Sequence, residues 1–142
     1  ASPRLQLSPV AQKVFEKLLS GSDAERMIGI SSAKSISNAD ASAILQALVG
    51  RALKAEEYTE DNAPVNVLIQ YAEARPELIG EVVRAFARIP EVRLGLGIPP
   101  RLAALKKSSP ASARIIDDQL SKWANSTANA ALSKAAGFII KS

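Results

Sequence analysis

A chain of 142 residues, 47 % hydrophobic, 4 % aromatic and 23 % charged, has the composition of one folded domain. It contains no cysteine and no histidine, which excludes disulfides, thiol nucleophiles and histidine-based triads and leaves no side chain that titrates unperturbed near neutral pH. The net charge of +4 is uneven: residues 21–61 hold seven acids and four bases, whereas residues 75–114 hold three acids and eight bases.

Residues 1–7 read as a flexible N-terminal segment. The start at Ala1 is compatible with loss of a signal peptide, loss of Met or a cut within a longer chain. Ser8-Pro9 is a helix start, with Ser as N-cap and Pro at the first helical position. Val10, Val14, Leu18 and Leu19 then share one face, and Gly21 ends the helix. Ser22 caps the next helix, and Glu25 three residues on completes a capping box. Ala24, Met27, Ile28 and Ser31 follow at helical spacing, and Ser35 to Asn38 reads as a turn.

Asn38 or Asp40 opens a third helix. Its stripe is Ile44, Leu45, Leu48, Val49, Ala52 and Leu53, with Gln46, Arg51 and Lys54 facing away. An acidic loop from Glu56 to Asp61 follows, and Asn62 and Pro64 start a fourth helix. Val65, Val67, Leu68, Ile69, Tyr71 and Ala72 cover most of that helix, which predicts a central position. Pro76 opens a fifth helix with Leu78, Ile79, Val82, Val83 and Phe86 inward and Glu77, Glu81, Arg84 and Arg88 opposite. Pro90 ends it. Glu91 to Pro100 is a loop or a short turn of helix broken at Gly95, and Arg101 to Lys107 a short helix. Ser109-Pro110 repeats the Ser-Pro start before the stripe Ala113, Ile116, Leu120 and Trp123. A last amphipathic helix is expected within residues 127–142, with Ala128, Ala131, Leu132, Ala135 and Ile139 on one face; Gly137 to Ile140 is the single β-like run.

No segment alternates with period two, and no apolar run reaches the ~18 residues of a membrane-spanning helix. The expected fold is therefore all-α: one domain, an antiparallel stack of seven or eight short helices. Two helix pairs stand out. One begins at Ser22-Asp23-Ala24-Glu25-Arg26 and closes with the Ile44 to Leu53 helix. The other begins at Asp61-Asn62-Ala63-Pro64-Val65, turns at Arg75-Pro76 and closes with Leu78 to Phe86. Each spans about 35 to 40 residues. The stretch from Ser20 to Phe86 resembles helical repeats of the HEAT and armadillo kind. The resemblance implies a curved stack of helix pairs used as a binding surface and carries over no catalytic residue.

Candidate chemistry is sparse. Ser31 and Lys34 have Ser-x-x-Lys spacing, but the mixed α/β frame and companion motifs of that chemistry are missing. Asp117 and Asp118 are adjacent and diverge on a helix, so they share neither proton nor metal. Glu56, Glu57, Glu60 and Asp61 lack the spacing and central Gly of a calcium loop. Gly95-x-Gly97 follows no strand and is no dinucleotide fingerprint. Asn125-Ser126-Thr127 matches a glycosylation acceptor, a pattern common by chance. No catalytic residue, cofactor or metal is assigned.

The basic run is the strongest surface feature. Arg84 and Arg88 lie one turn apart, and Arg93, Arg101, Lys106 and Lys107 follow within 20 residues. Such a run steers an acidic partner or neutralises phosphates, yet it lacks the interleaved aromatics of single-strand binders. Trp123 sits on a core stripe and, as the only tryptophan, is also a candidate anchor for a partner. The expectation is a non-enzymatic protein-interaction or assembly module, its partner protein acidic, bound through Arg84, Arg88, Arg93, Arg101, Lys106, Lys107 and Trp123. The alternative is nucleic-acid or anionic-surface binding through the Arg84 to Lys107 face. Cytoplasmic and secreted or periplasmic locations are both allowed.

Overall fold

The computed structural model describes residues 7–20, 22–54, 63–91, 94 and 97–141. Among them are eight α-helices and no strand: α1 (Pro9–Leu18), α2 (Asp23–Ala33), α3 (Asn38–Lys54), α4 (Ala63–Ala74), α5 (Ile79–Arg88), α6 (Ile98–Ser108), α7 (Ala113–Ala124) and α8 (Ala130–Lys141). A single 3₁₀ turn precedes α5 at Pro76–Leu78 and α7 at Pro110–Ser112, each entered through the expected proline. No described helix is long and apolar enough to cross a membrane.

Serines set several helix starts. Ser8 Oγ accepts the Ala11 N–H at 3.1 Å and donates to Asp40 Oδ1 at 3.0 Å, so the cap of α1 also ties it to α3. Ser22 Oγ accepts the Glu25 N–H at 3.5 Å, but the Glu25 carboxylate accepts from the Ser20 hydroxyl at 2.5 Å. Only one half of the predicted capping box forms. The α3 helix opens at Asn38, one of the two expected starts, and Ser37 Oγ caps it by accepting the Asp40 N–H at 3.1 Å. The α6 helix begins at Ile98, three residues before the predicted start, because Pro99 and Pro100 fit its first turn, where no N–H is required. Asn129 Oδ1 accepts the Leu132 N–H at 3.1 Å, so α8 starts at Ala130, leaving Ala128 outside it and Ala131 exposed. The run Gly137 to Ile140 is helical.

The helices form two rows. Helices α1, α3, α5 and α7 pack in succession as one row, and α2, α4, α6 and α8 as the other. Neighbours in sequence close the gap between rows, most extensively α1 with α2, α3 with α4, and α7 with α8. Ile44, Leu48, Leu68, Ile69, Val82 and Phe86 are all fully buried between them, as the periodicity predicts. The α4 helix touches α2, α3, α5 and α6, which explains why apolar residues cover most of its circumference.

Two arrangements in α1 and α2 depart from the pattern. Val10 is exposed, while Ala11, Val14 and Leu18 supply the buried face of α1. The stripe Ala24, Met27, Ile28 and Ser31 does share one face, but it is the solvent face. Gly29 and Ala33 point into the stack instead. A Cβ built on Gly29 would lie 3.1 Å from the Leu18 backbone N, so the close crossing of α1 and α2 leaves little room for a side chain there.

Candidate functional site

The α5 helix divides its residues sharply. Ile79, Val82, Val83 and Phe86 enter the core, which leaves Glu81, Arg84 and Arg88 exposed on the opposite side. The α3 helix runs beside that side. Between the two lies a groove of about 340 Å³ lined by Leu45, Val49, Gly50, Leu53 and Ala85, with Gln46, Glu81, Arg84 and Arg88 among its polar members. Gly50 helps to open it, since nothing lies within 4 Å of where its Cβ would stand. An apolar floor therefore meets a rim of two arginines and one glutamate.

Arg88 also lines a second cleft, of about 330 Å³, where the end of α5 meets α7. Its other walls include Glu91, Gln119, Lys122 and Trp123. Glu91 is fixed there: its Oε2 accepts from Ser126 Oγ at 2.9 Å, and its backbone carbonyl accepts from Asn129 Nδ2 at 2.8 Å. Its Oε1 is buried without a hydrogen-bond partner among the described residues. A wider depression of about 550 Å³ lies between α1 and the α2–α3 turn, lined partly by Lys13, Lys17 and Asp40. Its carboxylate is already engaged by the Ser8 hydroxyl.

The chain matches no protein-family model, and no curated protein or solved structure matches it.

The basic run that is continuous in sequence is divided in space. Arg84 and Arg88 stand on α5, in one row; Arg101, Lys106 and Lys107 stand on α6, in the other. Arg101 is half-buried and donates to Asn66 Oδ1 at 3.2 Å, against α4. Lys106 Nζ lies 2.8 Å from Asp117 Oδ1 on α7. Lys107 is exposed. Arg93 lies outside the described residues, as do Gly95 and the acidic run Glu56 to Asp61. The predicted basic face thus resolves into the Arg84–Arg88 pair on the groove and two bases engaged elsewhere.

Trp123 is 2 % exposed and meets Phe86 edge-on, ring centroids 6.3 Å apart. It belongs to the core and offers no exposed anchor, which corrects its inclusion among the binding residues. Ser31 and Lys34 are exposed at the end of α2 and line none of these clefts. Asn125 Nδ2 donates to the Ser121 carbonyl at 3.0 Å, so the glycosylation-like triplet closes α7 and, through Ser126, holds Glu91. Among the described residues no group of three or more acids could hold a metal ion.

The most elaborate polar cluster among the described residues is structural, and no motif in the sequence marks it. Arg75 is buried where α2 ends and α3 begins. Its Nη1 donates to the Ile36 carbonyl at 3.1 Å and to the Ala33 and Lys34 carbonyls at 3.5 Å; its Nη2 donates to Asn38 Oδ1 at 2.6 Å. Glu77 Oε1 lies 2.7 Å from Nε as an ion pair. The cation thus sits on the carbonyl end of α2, where the helix dipole is negative. One turn back, Tyr71 Oη donates to the Ala41 carbonyl at 2.6 Å. Burial raises the Tyr71 phenol far above its ordinary range, against a smaller opposing pull from Arg75. The only sequence signal for this cluster is an arginine before a proline, between Glu73 and Glu77.

Proposed function

We propose that this chain is a non-enzymatic interaction module that binds an acidic segment of a partner protein in the α3–α5 groove. The observation that carries the reading is the coincidence of Arg84 and Arg88 with an apolar floor. A partner segment with an apolar side chain and a nearby carboxylate satisfies both features: the floor contributes by burial, and the guanidinium groups pair bidentately with carboxylates. The resemblance of Ser20 to Phe86 to HEAT and armadillo repeats agrees with this use, and the two-row packing is compatible with it. Nucleic-acid binding is the weaker reading, since Arg101 and Lys106 have protein partners and Trp123, the sole tryptophan, is buried.

The test is affinity capture from native extract with wild-type chain and with Arg84→Glu plus Arg88→Glu in parallel. Exposed helix positions tolerate such changes within about 0.5 kcal/mol each, so the fold is expected to persist. A partner captured by the wild type and lost by the double variant supports the reading. Its affinity is expected to fall only gently with salt, because apolar burial contributes. A capture that is identical for both chains overturns the groove; a steep loss with salt and a nucleic-acid ligand overturn the partner class.

A further inference from the structure

The solvent face of α2 is apolar where a terminal helix of a stack should be polar. Met27 is 65 % exposed and Ile28 51 %, and Ala24 and Ser31 flank them on the same face. The spacing 24, 27, 28, 31 is the i, i+3, i+4, i+7 pattern of a helix seam that packs against another helix. The inward face meanwhile carries Gly29, Ala33 and the half-buried Ile30. The largest flexible apolar side chain of this helix thus points away from the core.

We infer that this face is a self-association surface on which α2 of a second copy packs antiparallel about a two-fold axis. The charges select that occupant. Asp23 begins α2 and Lys34 follows its end, 11 residues later. At about 100° per residue that separation brings them to within about 20° of each other, on one flank of the seam. A two-fold antiparallel pairing sets like flank against like flank. Centred between Met27 and Ile28, it brings Asp23 level with the second copy's Lys34 to within about 3 Å along the axis, and the same pair forms again at the other end. A parallel pairing about a two-fold axis would set the two Asp23–Lys34 flanks on opposite sides of the seam, where neither pair forms. The Asp23 side chain is 91 % exposed and pairs with Arg26, one turn along its own helix; Lys34 is exposed and has no ion-pair partner among the described residues. The antiparallel arrangement also opposes the two helix dipoles. In this register Met27 meets the second copy's Ile28, and Ala24 meets its Ser31, so large side chains fill the centre and small ones the ends.

A seam of one 11-residue helix is smaller than the roughly 1,200 Å² at which stable interfaces begin, so the dimer dissociates on dilution. The surface is independent of the α3–α5 groove, and either can fail without the other.

The experiment is sedimentation velocity on the full chain from micromolar to millimolar concentration, with far-ultraviolet circular dichroism as the control for folding. The wild type is expected to show a reversible monomer–dimer equilibrium. Met27→Glu is expected to weaken it at least about tenfold by placing two carboxylates in the seam. Asp23→Lys and Lys34→Asp are each expected to weaken it, and the two together in one chain to restore it. Because the chain has no cysteine, the register is read by cross-linking. A mixture of Ala24→Cys and Ser31→Cys chains is expected to form the mixed disulfide under mild oxidation, and either chain alone to form little. A wild type that stays monomeric throughout overturns the inference. So does a dimer indifferent to Met27→Glu, a charge swap that fails to restore association, or self-disulfides as efficient as the mixed one.

Discussion

Single residues decide how tightly the first helices close. Gly29 lets the α1 backbone approach α2, and a methyl there meets the Leu18 backbone, which has no rotamer by which to move aside. Gly29→Ala is therefore expected to cost about 1–2 kcal/mol in urea unfolding even though alanine favours the helix. Gly50 is the contrasting case. It stands in α3 with open space beside it, so Gly50→Ala is expected to gain about 0.5–1 kcal/mol in the same measurement. Equal signs for the two would mean that the α1–α2 crossing is looser than described. Tyr71 sets the response to base. Its folded phenol holds its proton to a higher pH than the unfolded one, which releases it near pH 10 (approximately). The contribution is whole below about pH 10 and is lost as pH rises toward the folded value. Alkaline titration by circular dichroism is expected to show stability falling above about pH 10, less steeply in Tyr71→Phe. That variant also leaves the Ala41 carbonyl without its phenol donor, at about 1 kcal/mol at neutral pH.

At the scale of elements, periodicity is informative when one face of a helix is buried and the other wet. The α3 and α5 helices satisfy that condition, and their stripes face the core except for Val49 and Leu53, which are partly buried and line the groove. The α4 helix satisfies it differently, being apolar nearly all round because four helices surround it. Leu68 is fully buried there, and Leu68→Ala is expected to cost about 2–5 kcal/mol, checked by chemical unfolding. In α2 the periodicity names a face but not its direction. Its inward side is small because α1 lies so close, so the larger residues mark the outside. The start of α6 was hidden for another reason: Ile98-Pro99-Pro100 reads as a break, yet prolines belong in a first turn.

For the whole molecule, the two-row packing makes stability local. The α4 helix is held from both sides of the stack, whereas α1, α2, α7 and α8 each close one end. Hydrogen exchange is expected to be slowest in α4 and faster in α8, with α8 opening before global unfolding. Uniform protection across all eight helices would instead mean a fully cooperative unit. The same packing redistributes charge. Residues 84–107 are one basic stretch along the chain, but α5 and α6 stand in different rows, so its arginines and lysines are shared between two rows of the stack.

The sequence by itself determined the all-helical class, most helix starts and the central core. These follow from local rules: prolines and serines at first turns, and apolar residues at helical spacing. It also determined that Arg84 and Arg88 share the outer face of one helix. Only the tertiary structure decided what that face adjoins, because the floor beneath the two arginines comes largely from α3, some 35 residues away. It alone decided that Trp123 is core, that Arg101 and Lys106 are engaged, and that Met27 and Ile28 are outside. Each of these depends on which helix lies next to which, a matter of packing between distant segments that no local periodicity encodes.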